Sequence, residues 1–177
     1  MKKSILTVAL FALTLGLSAQ NAPAAQASAE TDIIKQGQKA PDFSFVDENG
    51  KTVNLSDLKG RVVMINFFAT WCGPCNAELP VLQESVWKKY KDNLTFRLLI
   101  LGREHTQTEV NKFRESKKFE FPMYADEGRK VFSKFAVSQI PRNYIIDKEG
   151  TVVYASMGYS KEEFEKLVQF LDSLLEK

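Results

Sequence analysis

Residues 61–80 have the sequence RVVMINFFATWCGPCNAELP, in which a nearly continuous apolar run ends shortly before two cysteines. The run over residues 61–68 is typical of a strand that is buried on both faces of a sheet. Residues 76–90 predict a helix. Cys72 and Cys75 should therefore lie at the start of that helix, where unpaired N–H groups and the helix dipole favour a thiolate. A dithiol in this position predicts thiol–disulfide exchange.

The cysteine pair, the only two cysteines in the chain, also admits two other roles. A structural disulfide would close a loop of four residues, worth about 2 kcal/mol in the chain-entropy model against about 4.7 kcal/mol for a 100-residue loop. A zinc site needs about four ligands, whereas the chain has one histidine, His105. Both alternatives stay open, but the residues favour redox chemistry without a metal or another cofactor.

Residues 1–24 are predicted to form a signal peptide. Lys2 and Lys3 precede an apolar run over residues 5–17, and small residues follow it. That run is shorter than the roughly 20 residues that span a bilayer, although an uncleaved N-terminal anchor is the alternative. The Ala-, Gln- and Ser-rich residues 25–35 are interpreted as a linker. Residues 36–177 are long enough for one domain.

The charge balance argues against nucleic acid as a partner. The chain has 24 basic and 22 acidic residues and a formal net charge of +2. The charges balance once Lys2 and Lys3 are removed, and no strongly basic face is evident. Because disulfides persist outside the cytosol, a single close pair in an exported chain indicates a protein that acts on the disulfides of other proteins.

Strands alternate with helices along the domain. The first half has a hairpin turned at residues 47–51, a strand over 61–68, a helix over 76–90 that Pro80 should kink, and a strand over 94–101. The second half has a helix that begins at the capping box Thr106/Glu109, a short helix over 127–135, a hairpin over 143–157, and a helix after Ser160. This alternation predicts an α/β fold with a central sheet and helices on both faces.

Several separated motifs together resemble the thioredoxin fold. They are Trp71-Cys72-Gly73-Pro74-Cys75 after a buried strand, Pro80, Ile140-Pro141 before a strand, and Gly158 before the last helix. Residues 37–43 and 66–71, with an additional helical segment after the second strand, are similar to the TlpA/ResA branch. The resemblance implies a thioredoxin-like fold with a central mixed sheet, an N-terminal β-hairpin and an inserted helical segment.

The resemblance also implies a function, namely thiol–disulfide oxidoreductase activity in the bacterial periplasm or cell envelope, in a monomer. Branch members often reduce protein disulfides, and some serve cytochrome c maturation. The implied partners are therefore protein disulfides, apocytochrome c among them, and a membrane thiol-electron transporter as donor. Gly73-Pro74 is associated with reducing potentials in related proteins, about −270 mV in thioredoxin against about −120 mV in the oxidant DsbA.

Three other activities remain as alternatives: an oxidase that inserts disulfides, a peroxidase, and a non-catalytic thioredoxin-like binding module. The intact cysteine pair argues against the binding module. The peroxidase is disfavoured because Ile65 and Ala69 occupy the positions where peroxiredoxins carry Pro and Thr before their reactive cysteine.

The predicted catalytic residues are Cys72, Cys75, Glu78 and Pro141. Cys72 is expected to attack the substrate disulfide and Cys75 to resolve the mixed disulfide. Glu78, three residues after Cys75, is expected to help deprotonate it, the alternative being an ordinary first-turn acid. Pro141 should be cis and face the dithiol. Asn66 stands where cytosolic thioredoxins have a buried aspartate.

The expected substrate contacts are Trp71, Gly73, Pro74, Ile140 and Gly158. Trp71 could instead be a core aromatic residue. His105 follows a strand end, where ligand sites gather in such sheets, but most such histidines are ordinary loop residues. Arg142, beside Pro141, could tune substrate preference, although most such arginines lie solvated on the surface.

Overall fold

The computed structural model describes residues 31–176, which form seven strands and five α-helices. The strands are β1 (Ser44–Val46), β2 (Thr52–Asn54), β3 (Val62–Phe68), β4 (Phe96–Arg103), β5 (Met123–Asp126), β6 (Arg142–Ile146) and β7 (Val152–Met157). The helices are α1 (Gly73–Leu82), α2 (Lys88–Tyr90), α3 (Gln107–Lys117), α4 (Phe132–Phe135) and α5 (Lys161–Leu175). A π-helical turn (Gln83–Trp87) joins α1 to α2, and 3₁₀ turns occupy Leu55–Leu58 and Glu127–Arg129.

The central sheet has five strands in the order β5-β4-β3-β6-β7. The strand β3 runs parallel to β4, and β4 runs parallel to β5. The pairs β3/β6 and β6/β7 are antiparallel, so the sheet is mixed as predicted. The strands β1 and β2 form the predicted N-terminal hairpin, which is separate from the central sheet. All seven residues of β3 are buried.

Successive residues of β3 enter two different cores, because side chains alternate between the faces of a strand. Met64 and Phe68 pack with residues of α1, α3 and α5. Ile65 and Phe67 pack on the opposite face, with β1 and α4. Helices therefore cover both faces, as the sequence predicted. By the same alternation Asn66 faces α1.

The helix that carries the cysteines begins at Gly73, three residues before its predicted start. Pro80 lies inside α1 and, lacking an N–H group, cannot make the regular bond to the carbonyl one turn earlier. The helix widens just beyond this point, where the Lys88 N–H donates to the Gln83 carbonyl five residues back. The expected irregularity therefore takes the form of a π-helical turn.

The strand β5 was not predicted. It has four residues and lies at the sheet edge, where it pairs in parallel with β4 from Ile100 to Arg103. The strand forms through pairing with β4, which is distant in sequence, so the local residue pattern did not predict it. The predicted helix over 127–135 is also wrong as one element, because Gly128 and Arg129 have positive φ angles of 67° and 61° that interrupt it.

The predicted signal peptide, 1–24, and the first part of the predicted linker lie outside the described residues. Residues 31–35, which the sequence assigned to the linker, instead pack against the domain. The backbone N–H groups of Ile33 and Ile34 both donate to the Phe135 carbonyl, at 2.9 and 3.2 Å. Asp32 also pairs with Ala136 in an isolated antiparallel bridge. Between residues 31 and 176, no helix combines the length and apolar character that a membrane crossing requires.

Candidate functional site

The two cysteines lie at the N-terminus of α1 and form a disulfide with a Cα–Cα distance of 5.3 Å. Cys72 is the N-cap residue, with an extended backbone, and its Sγ accepts a hydrogen bond from the Cys75 N–H at 3.2 Å. Cys72 is 5% exposed and Cys75 is fully buried. Cys72 therefore keeps some accessible surface, whereas Cys75 keeps none.

An open groove of about 500 Å³ borders Cys72. Its lining residues are Trp71, Cys72, Gly73, Pro74, Arg103, Gln139, Ile140, Met157 and Gly158. The groove thus brings together every residue that the sequence suggested as a substrate contact. It adds three that the sequence did not suggest, namely Arg103, Gln139 and Met157.

The loop before β6 forms one wall of the groove. The Ile140–Pro141 peptide bond is cis, as expected from the resemblance. The carbonyl oxygen of Ile140 lies 3.9 Å from Cys72 Sγ. Gly158, at the end of β7, donates its N–H to the Pro141 carbonyl at 2.9 Å. The loop is thereby fixed against the sulfur that borders the groove.

A buried cluster of one carboxyl group and two amides lies on the α1 face of the sheet. The Asn143 Nδ2 donates to Glu78 Oε1 at 2.6 Å, and the Asn66 Nδ2 donates to Glu78 Oε2 at 2.9 Å. Asn66 Nδ2 also donates to Asn143 Oδ1 at 2.8 Å. The two asparagines are register partners on β3 and β6. Among the described residues, Asn66 Oδ1 has no hydrogen-bond partner.

Glu78 is 1% exposed, which excludes an ordinary solvated acid in the first turn of the helix. Burial raises the pKa of its carboxyl group from 4.5 to about 7, although the hydrogen bonds from Asn143 and Asn66 act in the opposite direction. This carboxyl group, one helical turn beyond Cys75, can therefore gain or lose a proton near neutral pH.

Trp71 is 66% exposed, so the alternative of a core aromatic residue is wrong. The guanidinium carbon of Arg103, from the end of β4, lies 5.6 Å from the centre of the Trp71 ring. This distance is within the range of a cation–π contact. The contact joins two residues that both line the groove.

His105 is not an ordinary loop histidine, because it is buried with 7% exposure. Its Nε2 accepts the Thr70 N–H at 3.0 Å, while its Nδ1 lies 3.8 Å from the Glu109 carboxylate. Asn76 Nδ2 donates to the Thr70 and Cys72 carbonyls at 3.0 and 2.8 Å. The hydrogen bonds of His105 and Asn76 fix the turn that leads into Cys72, and the sequence predicted none of them.

Arg142 is also not a solvated surface residue, since it is 1% exposed. Its Nε donates to the carbonyls of Ser138 and Gln139, at 2.9 and 3.2 Å, in the loop that precedes Pro141. Its guanidinium forms an ion pair with Asp32. The available signal was an arginine in a strand whose other residues are uncharged, but its acidic partner is 110 residues away in sequence.

Known proteins resemble this chain in both sequence and structure. A family model described as the AhpC/TSA family matches residues 36–155. A thiol-disulfide oxidoreductase ResA of Bacillus cereus is 34% identical over 142 residues, covering 80% of this chain and 81% of that protein. ResA of Bacillus subtilis (strain 168) is 35% identical over 129 residues, covering 73% of this chain and 71% of that protein.

Two solved structures support the same assignment. The solution structure of a candidate protein disulfide isomerase from Bacteroides thetaiotaomicron has a TM-score of 0.79 and 38% identity, covering 83% of this chain and 94% of that one. The crystal structure of a candidate thiol:disulfide interchange protein DsbE from Chlorobium tepidum has a TM-score of 0.69 and 29% identity, covering 80% and 99%. The chain therefore belongs to the thioredoxin-like AhpC/TSA family, as a thiol–disulfide oxidoreductase of the ResA kind.

Proposed function

We propose that this thiol–disulfide oxidoreductase is an exported reductase of protein disulfides, with Cys72 as the attacking thiol and Cys75 as the resolving thiol. The observation that carries the proposal is the placement of the two sulfurs. Cys72 caps α1 beside the groove, whereas Cys75 is buried behind it. A substrate disulfide can reach only the first sulfur.

The proposed cycle starts from the reduced protein. The Cys72 thiolate attacks one substrate sulfur, so a mixed disulfide forms as the substrate S–S bond breaks and the first substrate thiolate leaves. The Cys75 thiolate then attacks Cys72 Sγ, which closes the Cys72–Cys75 disulfide and expels the second substrate thiolate. Two electrons pass to the substrate. The two protons lost by the protein thiols end on the substrate thiols.

The N-terminus of α1 would activate Cys72 for the first step. The Cys75 N–H that donates to Cys72 Sγ in the disulfide can donate equally to a Cys72 thiolate. Hydrogen bonds to an ionised acceptor are stronger than those to a neutral one, and the helix dipole adds to the effect. Both contributions lower the pKa of the thiol and raise its reactive fraction.

Glu78 would serve the second step by accepting the proton of Cys75. A carboxyl group with a pKa of about 7 has nearly the right affinity for a thiol proton at neutral pH. Its ionised form is held by the amides of Asn66 and Asn143. The negative charge also opposes too deep a fall in the thiol pKa.

The groove would hold an extended segment of the substrate next to Cys72. The backbone of Ile140 borders the reactive sulfur and offers a carbonyl group to such a segment. Main-chain pairing of this kind tolerates different substrate sequences. The exposed ring of Trp71 would cover the segment from the other side.

The periplasm or cell envelope is the proposed location, with a membrane thiol-electron transporter as donor and apocytochrome c as one candidate substrate. The support is the signal-like sequence of residues 1–24 and the resemblance to the TlpA/ResA branch. Loss of residues 1–24 from the mature protein, measured by intact mass, would support cleavage. Retention of Met1 in a membrane-extracted protein would overturn it.

The direction of electron flow is tested by the reduction potential and by insulin reduction with dithiothreitol. A potential nearer to about −270 mV than to about −120 mV is expected of a reductase. Cys72→Ser should abolish the acceleration of insulin reduction. A potential near the DsbA value, with a protein that is largely oxidised in cells, would favour the alternative of a disulfide-inserting oxidase.

A further inference from the structure

We propose that Arg103 makes the groove selective for substrate segments that carry acidic side chains beside the reactive cysteine. The inference rests on the proposed function and deepens it, since it names the class of segment that the groove accepts. Of the nine described residues that line the groove, only Arg103 carries a charged side chain. The charge next to Cys72 is therefore a single cation among apolar and neutral polar groups.

The Arg103 side chain is already ordered for binding. Its guanidinium carbon lies 5.6 Å from the centre of the Trp71 ring and 5.2 Å from that of Phe132. Contact with aromatic faces fixes the planar group while leaving its edge able to donate to a carboxylate. The side chain is 12% exposed, so little conformational freedom remains to be lost on pairing.

Two carboxylates and a second guanidinium lie near Arg103, outside the groove lining. Glu104 Oε2 lies 3.3 Å from Arg103 Nη2, while Glu104 Oε1 lies 3.9 Å from Arg129 Nε. One carboxylate is thus shared by two guanidinium groups. Asp126, opposite Arg103 on β5, instead accepts two backbone N–H groups at the start of α4. Among the described residues, Arg103 Nε is buried and has no hydrogen-bond partner.

The Glu104 carboxylate is replaceable by one from a substrate. Its side chain is 46% exposed, and ion pairs in such solvated positions contribute little to stability. A substrate carboxylate in the groove would pair with the same cation in a less solvated place. A lysine at that point of the substrate would instead meet a like charge.

The test uses three disulfide-bridged peptides that differ only in the residues flanking one cysteine, which are Glu, Gln or Lys. Exchange is followed in both directions, as reduction of the peptide disulfide by the reduced protein and oxidation of the peptide dithiol by the oxidised protein. The wild type should favour the Glu peptide over the Gln peptide by about three- to ten-fold in kcat/KM, with the Lys peptide the poorest. The preference should shrink as salt is added.

Four variants separate the contribution of Arg103 from the intrinsic reactivity of the peptides. That reactivity cancels when each variant and the wild type are compared on the same peptides. Arg103→Gln should bring the Glu/Gln ratio to the value measured with dithiothreitol. Arg103→Lys should retain part of the preference, and Glu104→Gln should increase it. Arg129→Gln removes a nearby cation outside the groove lining and leaves Glu104 to Arg103 alone, so it should lower the preference less than Arg103→Gln does.

Two results would overturn the inference: equal kcat/KM values for the three peptides with the wild type, after correction for the dithiothreitol rates, or an unchanged preference in Arg103→Gln. Neither result would affect the proposed reductase. A reductase failure would appear differently, as efficient oxidation of the dithiol peptides without reduction of the disulfide peptides. The acidic preference should then still appear in the oxidising direction.

Discussion

Replacing Glu78 by Gln should remove a large part of the pH dependence of stability. The pKa of this carboxyl group is about 7 in the folded protein and 4.5 as its ordinary value. A difference of this size corresponds to about 3 kcal/mol at about 1.4 kcal/mol for each pKa unit. Because Glu78 is 1% exposed, solvent screening reduces this figure little.

The sign of the effect follows from the direction of the pKa difference. The folded state binds the Glu78 proton more tightly than the unfolded state does, so this group stabilises the fold most at low pH. That contribution is complete below pH 4.5 and is lost as the pH rises through about 7. The Gln side chain does not titrate. It keeps one oxygen as an acceptor, whereas its NH₂ faces one of the two amide donors, so any cost of the substitution does not depend on pH.

The assay is urea unfolding at a series of pH values from below 4.5 to above 7. The oxidised protein is used because its disulfide-bonded cysteines do not titrate. The difference in free energy of unfolding between wild type and Glu78→Gln should change by about 3 kcal/mol across this range, in favour of the variant at high pH. Glu115→Gln, which is exposed on α3, is the matched control and should keep the wild-type profile. Parallel curves for wild type and Glu78→Gln would refute the reasoning.

Three further substitutions test the contacts around the site by urea unfolding. Arg142→Met should cost about 3–5 kcal/mol by leaving the Asp32 carboxylate with the Tyr144 hydroxyl but without its charged partner. The cost should be much smaller in an Asp32→Leu background, and additive costs would show that the pair is not coupled. Gly102→Ala would place a Cβ 2.7 Å from a methyl group of Val110 and should cost about 1–3 kcal/mol. Val110→Ala should relieve that cost, and a fully stable Gly102→Ala would contradict the packing. His105→Ala should cost about 1–3 kcal/mol through the backbone N–H that it leaves unpaired, whereas wild-type stability would show that this hydrogen bond contributes nothing.

The parts of the site that are local in sequence were predictable. A buried strand followed by Cys72 and Cys75 at a helix start is a short-range pattern, and the structure has the two elements in this order. Glu78 could be placed one turn beyond Cys75 because helical spacing is regular. The sequence therefore predicted that Glu78 lies on the same helix face as Cys75.

The contacts that give Glu78 its environment were not predictable in the same way. Asn66 and Asn143 come together because β3 and β6 pair in one particular register. The two asparagines are 77 residues apart, and a shift of one residue would turn one of them to the other face of the sheet. Arg142 was misjudged for a similar reason, because its partner Asp32 belongs to a segment that sequence composition assigned to a linker.

The most direct test of the central claim is the trapping of a mixed disulfide in single-cysteine variants. Reduced Cys75→Ser and Cys72→Ser proteins are mixed with one disulfide-bridged peptide, and the adducts are measured by intact mass. The account predicts a stable adduct of one peptide on Cys72 in the Cys75→Ser protein, and none in the Cys72→Ser protein. An adduct that forms faster through Cys75, or no adduct with either variant, would contradict it.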